Sequence, residues 1–450
     1  MDKVIWSLCI LVALGMVVLA FPEGVTALSL TAVLAAVFLF VFRKHTDEKD
    51  FVTNVFLVAV AARIGFGLFV EVYDLRAFFG GDSVTYDSFG ARIMGYWLGN
   101  VASNDIELYW AASTTNSGWG MNYLVAVLYL IFGRNIFLAQ SFCGVIGAAT
   151  APLVYFCARQ IFHNNRVAKV SAVAVALFPA FIIWSGQLLK DGLIVFLLVL
   201  AMTMVLQLQN KFNYAAVLLL VISLFGIMSL RFYIFYMVAL AVVGSFVIGV
   251  SNSAQSVLRR TVVLIVMGLG LTYFGVLRNA SLDYERYGSL QRIQASRLNL
   301  ATAAESGFGE DVDVSTTEGA LSAIPLGFAY LMLAPFPWQV SNFRQAITLP
   351  EVFLWWALLP LMAVGFWYTV RHKLRTAFPI VLFSLMLTLA YSIYQGNVGT
   401  AYRQRTQIQV FLFMFVAVGW AIFKERQQDK HALRMMKQRQ IDSRLRAGYQ

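Results

Sequence analysis

Apolar runs of about 20 residues recur along this chain, and they constrain its fold more than any other feature. A helix rises about 1.5 Å per residue, so a run of that length crosses the hydrocarbon core of a bilayer. Such runs fall at roughly 4–21, 25–42, 51–73, 135–158, 167–184, 191–208, 213–230, 232–250, 261–277, 350–370, 376–395 and 406–424. Inside lipid every backbone N–H and C=O must find a partner within the chain. The expected fold class is therefore all-α: a polytopic transmembrane helical bundle of about 12 spans, with interfacial or re-entrant helices in its outer loops. The chain is 60% hydrophobic and only 13% charged, which excludes an ordinary soluble enzyme. Residues 1–21 have the charged start and apolar core of a signal peptide. The next run begins almost at once, at Val25, so an uncleaved first helix in a hairpin is expected.

Charge sets the expected topology. The net charge of +11 lies mainly in short loops and the tail. The positive-inside rule accounts for that without a nucleic-acid partner. Residues 424–450 carry eight Lys/Arg against three acids and read as a basic cytoplasmic tail behind a membrane domain at 1–423. The basic connections Arg159–Lys169, Arg259-Arg260 and Arg371–Arg375 should share that side. All agree only if two short apolar pieces, 119–132 and 320–334, do not cross the bilayer. Both termini are then cytoplasmic. The outer loops are 74–134 and 278–349, and Asp82, Lys190, Asp191, Arg231 and the 396–405 connection all fall on the outer face.

On that face the stretch Phe78–Asp87 stands out: two carboxylates, two hydroxyls and a phenol beside the pair Gly80-Gly81. A glycine pair lets a ligand approach the backbone. Asp82 is the candidate catalytic base, since a lipid substrate covering it would strip its hydration and raise its pKa; the plainer reading is a loop acid capping a helix. Tyr86 and Asp87 join it as candidate substrate-binding residues, and Val84–Leu98 has the pattern of a helix lying in the interface plane. Lys190 and Asp191 interrupt two apolar runs. They read either as interface anchors or as a cation for a lipid phosphate with a polar contact for a sugar. Arg403 and Arg405 run against the positive-inside trend. An arginine fork suits phosphate oxygens, and snorkelling is the alternative. Arg231 and Arg344 are weaker single cases of the same kind. Arg63 and Glu71 lie inside the third run, where ionisable residues are functional suspects by default; the alternative is snorkelling to an interface, the favoured reading for Glu71 near the run's end. Arg286, Arg292, Arg297, Asp311 and Asp313 form either an acceptor-binding segment or a connector. Pro335-Phe336-Pro337-Trp338, with Pro350-Glu351 and Trp355-Trp356, reads as a rigid turn and an aromatic belt, the alternative being a part in shaping a lipid groove. The three cysteines sit in apolar segments without metal-site spacing, and the four histidines are scattered, so no metal centre and no disulfide framework is expected.

Several segments together resemble the GT-C superfamily of membrane glycosyltransferases, in its polyprenyl-phosphate-sugar-dependent branch. These are Gly81-Asp82 early in the first large outer loop, Tyr123–Arg134, Leu177-Phe178-Pro179 through Met202, and Ala401–Arg405 before the last span. That branch includes protein O-mannosyltransferases and the bacterial transferase that adds aminoarabinose to lipid A. The resemblance covers most of residues 70–210 and, more loosely, the end of the chain. Here the early Asp follows the third apolar run, where much of the family has it after the first. The family's Asp-Glu pair is Asp82-Ser83. The resemblance implies an inner-membrane protein of bacteria that transfers sugar with inversion from a polyprenyl-phosphate-linked donor to a glycan, lipid or protein acceptor at the outer face. It implies Asp82 as the base, with Arg403, Arg405 and Lys190 stabilising the leaving phosphate. No cofactor is expected. A divalent metal held by Asp82 and Asp87 is compatible with such a site but not required by it. Two other classes stay open: an O-antigen-type polymerase or ligase using diphosphate-linked glycans, in which outer arginines outweigh Asp82, and a transporter or flippase, which predicts midplane charges and an internal repeat.

Overall fold

The computed structural model of the protein describes residues 2–79, 81–114, 117–248, 254–273, 288–302 and 306–447. The expected Gly80 and Arg286 lie outside them. The described residues are helical almost throughout, and their sole β feature is an isolated antiparallel bridge between Gly307 and Asn397. A hairpin of α1 (Asp2–Leu19) and α2 (Glu23–Lys44) leads into α3 (Lys49–Val72). Four shorter helices follow: α4 (Arg76–Phe79), α5 (Asp82–Trp97), α6 (Ile106–Ala112) and α7 (Trp119–Phe132). The central bundle contains α8 (Ile136–Phe162), α9 (Asn165–Leu177), α10 (Pro179–Ser185), α11 (Lys190–Asn210), α12 (Tyr214–Leu230), α13 (Phe232–Ile248) and α14 (Ala254–Tyr273). After it come α15 (Leu290–Thr302), α16 (Thr317–Leu333), α17 (Phe343–His372), α18 (Leu374–Tyr394) and the 50-residue α19 (Val398–Ala447).

Eight of these helices are long and apolar enough to cross a membrane, or nine if α9 and α10, bent 54° to each other, form one span. The chain thus has the all-α architecture of an integral membrane protein. The other three expected spans are the shorter apolar helices α12, α13 and α14. Burial is uneven. The apolar windows of α8 and α19 are 83% buried within the protein, whereas those of α1 and α2 are 11% and 17% buried. The first hairpin is thus an outer layer around a core built by α8, α11 and α19.

Helices of one membrane protein gain little from apolar burial against each other, so close backbone approach matters. On α17, Gly365 lies so near α19 that an added Cβ would sit 1.8 Å from Phe415 O; Gly419 meets Leu361 O in the same way. Large side chains at either position would part the two helices.

The break after Leu177 has a chemical origin. Pro179 has no N–H, so Val175 O loses its helical partner. Arg63 of α3, fully buried, supplies the replacement. Its Nη2 donates to Val175 O (3.1 Å), Nη1 to Ala176 O (3.0 Å), and Nε to Ser185 Oγ (2.8 Å). The functional suspicion attached to Arg63 thus has a structural answer: it caps a broken helix. Glu71, the other suspect, pairs with Arg76.

The two ends of the bundle differ. At one end Glu48 in the α2–α3 turn pairs with Lys169 (2.8 Å) and Asn165 at the start of α9. The hydrogen bonds from Lys169 and Asn165 hold the Glu48 carboxyl below the usual range. At the other end the start of α11, the end of α12, the start of α19 and the α4–α5 region converge. Helix α7 lies across this second end. Gly118 at its start abuts Lys190 and Leu230, and Asn135 just beyond it donates to Glu23 O (3.0 Å) and Thr26 Oγ1 (2.8 Å) of α2. Helix α16 is also held there, since a Cβ at its Gly327 would meet Ser392 O near the end of α18.

Candidate functional site

Where these helix ends converge they enclose a cavity of about 880 Å³. Its charged wall is Asp82, Lys190, Arg231, Arg344 and Arg403. Its apolar wall includes Phe78, Phe79, Phe343 and Ile347, with Trp184 and Tyr402 as further aromatic surface. The four cations outnumber by two the carboxylates near them, Asp82 on the wall and Asp191 behind it, so an anionic ligand is favoured there.

Asp82 opens α5 with its side chain about half exposed (52%), at the mouth. Arg403, in the first turns of α19, reaches it with Nη1 at 2.8 Å from Oδ2. The other edge of Arg403 holds Asp191, with Nε 2.6 Å and Nη2 2.5 Å from Oδ2. Asp191 is 1% exposed, behind the cavity wall, and its Oδ1 takes Arg231 Nη2 at 3.3 Å. A carboxylate so buried must be paired, and here two arginines pair it. Lys190, the first residue of α11, faces the cavity and makes no ion pair within 4 Å among the described residues. It lies over Gly118, whose φ of +92° is left-handed; a Cβ there would come 2.6 Å from Lys190 Nζ. Arg344, in the first turn of α17, likewise makes no ion pair within 4 Å among the described residues. It donates to Ala77 O (3.3 Å) and lies 5.2 Å over the Phe78 ring.

Five of the sequence candidates therefore meet in one site: Asp82, Lys190, Asp191, Arg231 and Arg403. Three do not. Arg405 is fully buried away from the cavity and donates Nη1 to Met332 O (3.1 Å) and Ala334 O (3.0 Å), between the rings of Tyr402 and Trp355. The helix begins at Val398 and not near residue 406, so two arginines two positions apart point to different sides and form no fork. Tyr86 does not line the cavity but lies buried one turn beyond Asp82, where it feels the charges of Asp82, Arg403, Asp191 and Arg231; burial is the main cause that pushes its phenol pKa up. Asp87 is tied down: Tyr129 donates at 2.6 Å and Arg134 donates Nη2 at 2.6 Å and Nε at 3.2 Å. Burial alone would raise its pKa, but the bonds from Arg134 and Tyr129 outweigh that and hold the carboxyl below the usual range. Asp87 thus clamps α5 to α7 and does not line the cavity. Among the described residues no three His, Cys, Asp or Glu side chains come together as a metal site.

Sequence reasoning gave Glu351 only a structural part, in a rigid turn and aromatic belt, and gave Tyr402 no role of its own. The Tyr402 hydroxyl, on the cavity wall, donates to Glu351 Oε2 at 2.6 Å inside α17. An acid one residue after Pro350 in an apolar run was the available signal. Segment 306–314 closes the rim: Val398 N donates to Ser306 O (3.0 Å) and Phe308 N to Gly396 O (2.8 Å). Arg297, one of the connector charges, is buried and donates Nη1 to Gly309 O (2.6 Å) and Val312 O (3.1 Å), so it shapes this segment from inside. No protein-family profile, no curated protein and no solved structure matches the chain.

Proposed function

We propose that the protein is a membrane glycosyltransferase, moving a sugar from a polyprenyl-phosphate-linked donor onto a glycan, lipid or protein acceptor. It would work at the outer face of a bacterial inner membrane, from a bundle of about 12 spans with both termini cytoplasmic. One observation carries this reading: a single half-exposed carboxylate shares an 880 Å³ cavity with cations that have no carboxylate of their own, beside an apolar wall. In the reaction Asp82 takes the proton of the acceptor hydroxyl. The acceptor oxygen forms its bond to the anomeric carbon as the bond from that carbon to the phosphate oxygen breaks, and the electron pair leaves with the phosphate. Lys190 and Arg344 neutralise the charge that grows there. Phe78, Phe79, Phe343 and Ile347 suit the first isoprene units of the lipid.

The surplus of cations also favours a second reading, a polymerase or ligase whose donor carries a diphosphate. Membranes bearing wild type or Asp82→Asn, at equal expression, decide between them. Each is supplied with labelled polyprenyl-phosphate sugars and with diphosphate-linked glycans. The first reading expects transfer from the monophosphate donors and a fall of about 100- to 10,000-fold in Asp82→Asn, the usual share of a general base. Transfer that survives the substitution overturns the role of Asp82. Transfer from the diphosphate donors alone establishes the second reading.

A further inference from the structure

Arg403 is claimed by two carboxylates. One edge of its guanidinium, Nε with Nη2, faces Asp191 Oδ2, and Nη1 meets Asp82 Oδ2 at 2.8 Å. Its Cζ lies 5.5 Å over the ring of Trp184, which covers one face. Asp191 in turn holds Arg231. The four residues form a chain, Arg231–Asp191–Arg403–Asp82, that passes from the buried part of the cavity wall, behind it at Asp191, to the cavity mouth. It joins the end of α12 and the starts of α11, α19 and α5. Two positive and two negative charges make it neutral, so it adds no net attraction for an anion. A phosphate that took Arg403 would have to displace a carboxylate, and displacing Asp191 would leave a buried charge short of a partner. Lys190 and Arg344 face the same cavity with no carboxylate to give up. At the far end of the chain Arg403 engages only Oδ2 of Asp82, and Oδ1 makes no hydrogen bond among the described residues.

We propose that Arg403 is a positioning residue: held by Asp191, it fixes one oxygen of Asp82 so that the other meets the acceptor hydroxyl, while the donor phosphate is bound by Lys190 and Arg344. This rests on the transferase reading of the cavity. It reverses the role that the sequence suggests for Arg403, that of phosphate ligand.

The test uses the full chain in lipid nanodiscs, with binding of polyprenyl phosphate and steady-state transfer measured on the same preparations. Arg403→Gln is expected to leave the Kd for polyprenyl phosphate, and the donor KM, within about threefold of wild type while kcat falls about 100-fold. Lys190→Met is expected to raise both Kd and donor KM about tenfold or more. Arg403→Lys keeps the charge but cannot span two carboxylates, so its kcat should stay low with Kd unchanged. Arg403→Gln weakening polyprenyl-phosphate binding as much as Lys190→Met would overturn the proposal, as would full kcat in Arg403→Lys. Wild-type protein that binds polyprenyl phosphate but transfers no sugar counts against the transferase reading and the positioning role with it. The Kd series still decides which cations hold the phosphate.

Discussion

Asp87→Asn separates a structural clamp from a ligand. The carboxylate accepts from Tyr129 at 2.6 Å and from two nitrogens of Arg134 at 2.6 and 3.2 Å, and its side chain is only 13% exposed. Asparagine keeps one acceptor oxygen and must turn an N–H₂ toward one of these partners. Hydrogen bonds to charged groups contribute about 1.5–3 kcal/mol each. Arg134 is more than half exposed, so solvent screens its share to about 1 kcal/mol. Tyr129 is buried, and leaving its hydroxyl without an acceptor costs about 1–2 kcal/mol. The α5–α7 contact should therefore weaken by about 2–3 kcal/mol, which corresponds to amide exchange about 30- to 150-fold faster in 82–97 and 119–132. The pH dependence has a definite sign. The folded Asp87 carboxyl is held below its ordinary value, so its stabilisation is present above that value and is lost as pH falls through the folded pKa. The gap between wild type and Asp87→Asn should hold at neutral pH and close below about pH 4. Hydrogen exchange followed by mass spectrometry on the nanodisc-embedded protein reads both. Unchanged protection in the variant, together with weaker ligand binding, would refute the clamp and restore Asp87 to the substrate site.

Three further substitutions probe what surrounds the site. Gly118→Ala forces a Cβ into a left-handed backbone and onto the Lys190 ammonium; it should cost about 1–2 kcal/mol in thermal unfolding and loosen polyprenyl-phosphate binding, because the flexible Lys190 yields first. Arg63→Met removes the donors to Val175 O, Ala176 O and Ser185 Oγ and should cost about 2–4 kcal/mol. Pro179→Ala restores the N–H that Val175 O lacks, so the double variant should lose less than Arg63→Met alone. Strict additivity of the two would contradict the capping role.

The helices were legible because membrane spans are written in long apolar runs, and charge asymmetry assigned Asp82, Lys190, Asp191, Arg231 and Arg403 to one common end of the bundle, where packing brings them together. What failed did so for local reasons. Arg403 and Arg405 looked like a fork because residues 397–405 read as a loop; starting the helix at Val398 turned them apart. Asp87 looked like a second site carboxylate because nothing in its neighbourhood announced Arg134, 47 positions on. Asp191 looked like a ligand, and its nearly complete burial between two arginines comes only from packing. Helix existence is encoded locally; the choice of ion-pair partner is not, since it depends on which helix ends meet.

That choice traces back to the break in the α9–α10 span. Helix α10 is seven residues long, so a 54° bend carries its end about 8 Å to the side of a straight continuation. Lys190 and Asp191 follow within six residues, and a shift of that size decides which helix ends they meet. Pro179 creates the bend by removing an N–H, and Arg63 makes it tolerable by capping the freed carbonyls from a third helix. The buried arginine and the candidate site are thus linked through the backbone: Arg63 anchors the turn from which Asp191 reaches Arg231 and Arg403. The arginine buried in α3, which makes no ion pair among the described residues, thus helps to set where a carboxylate stands at the start of α11.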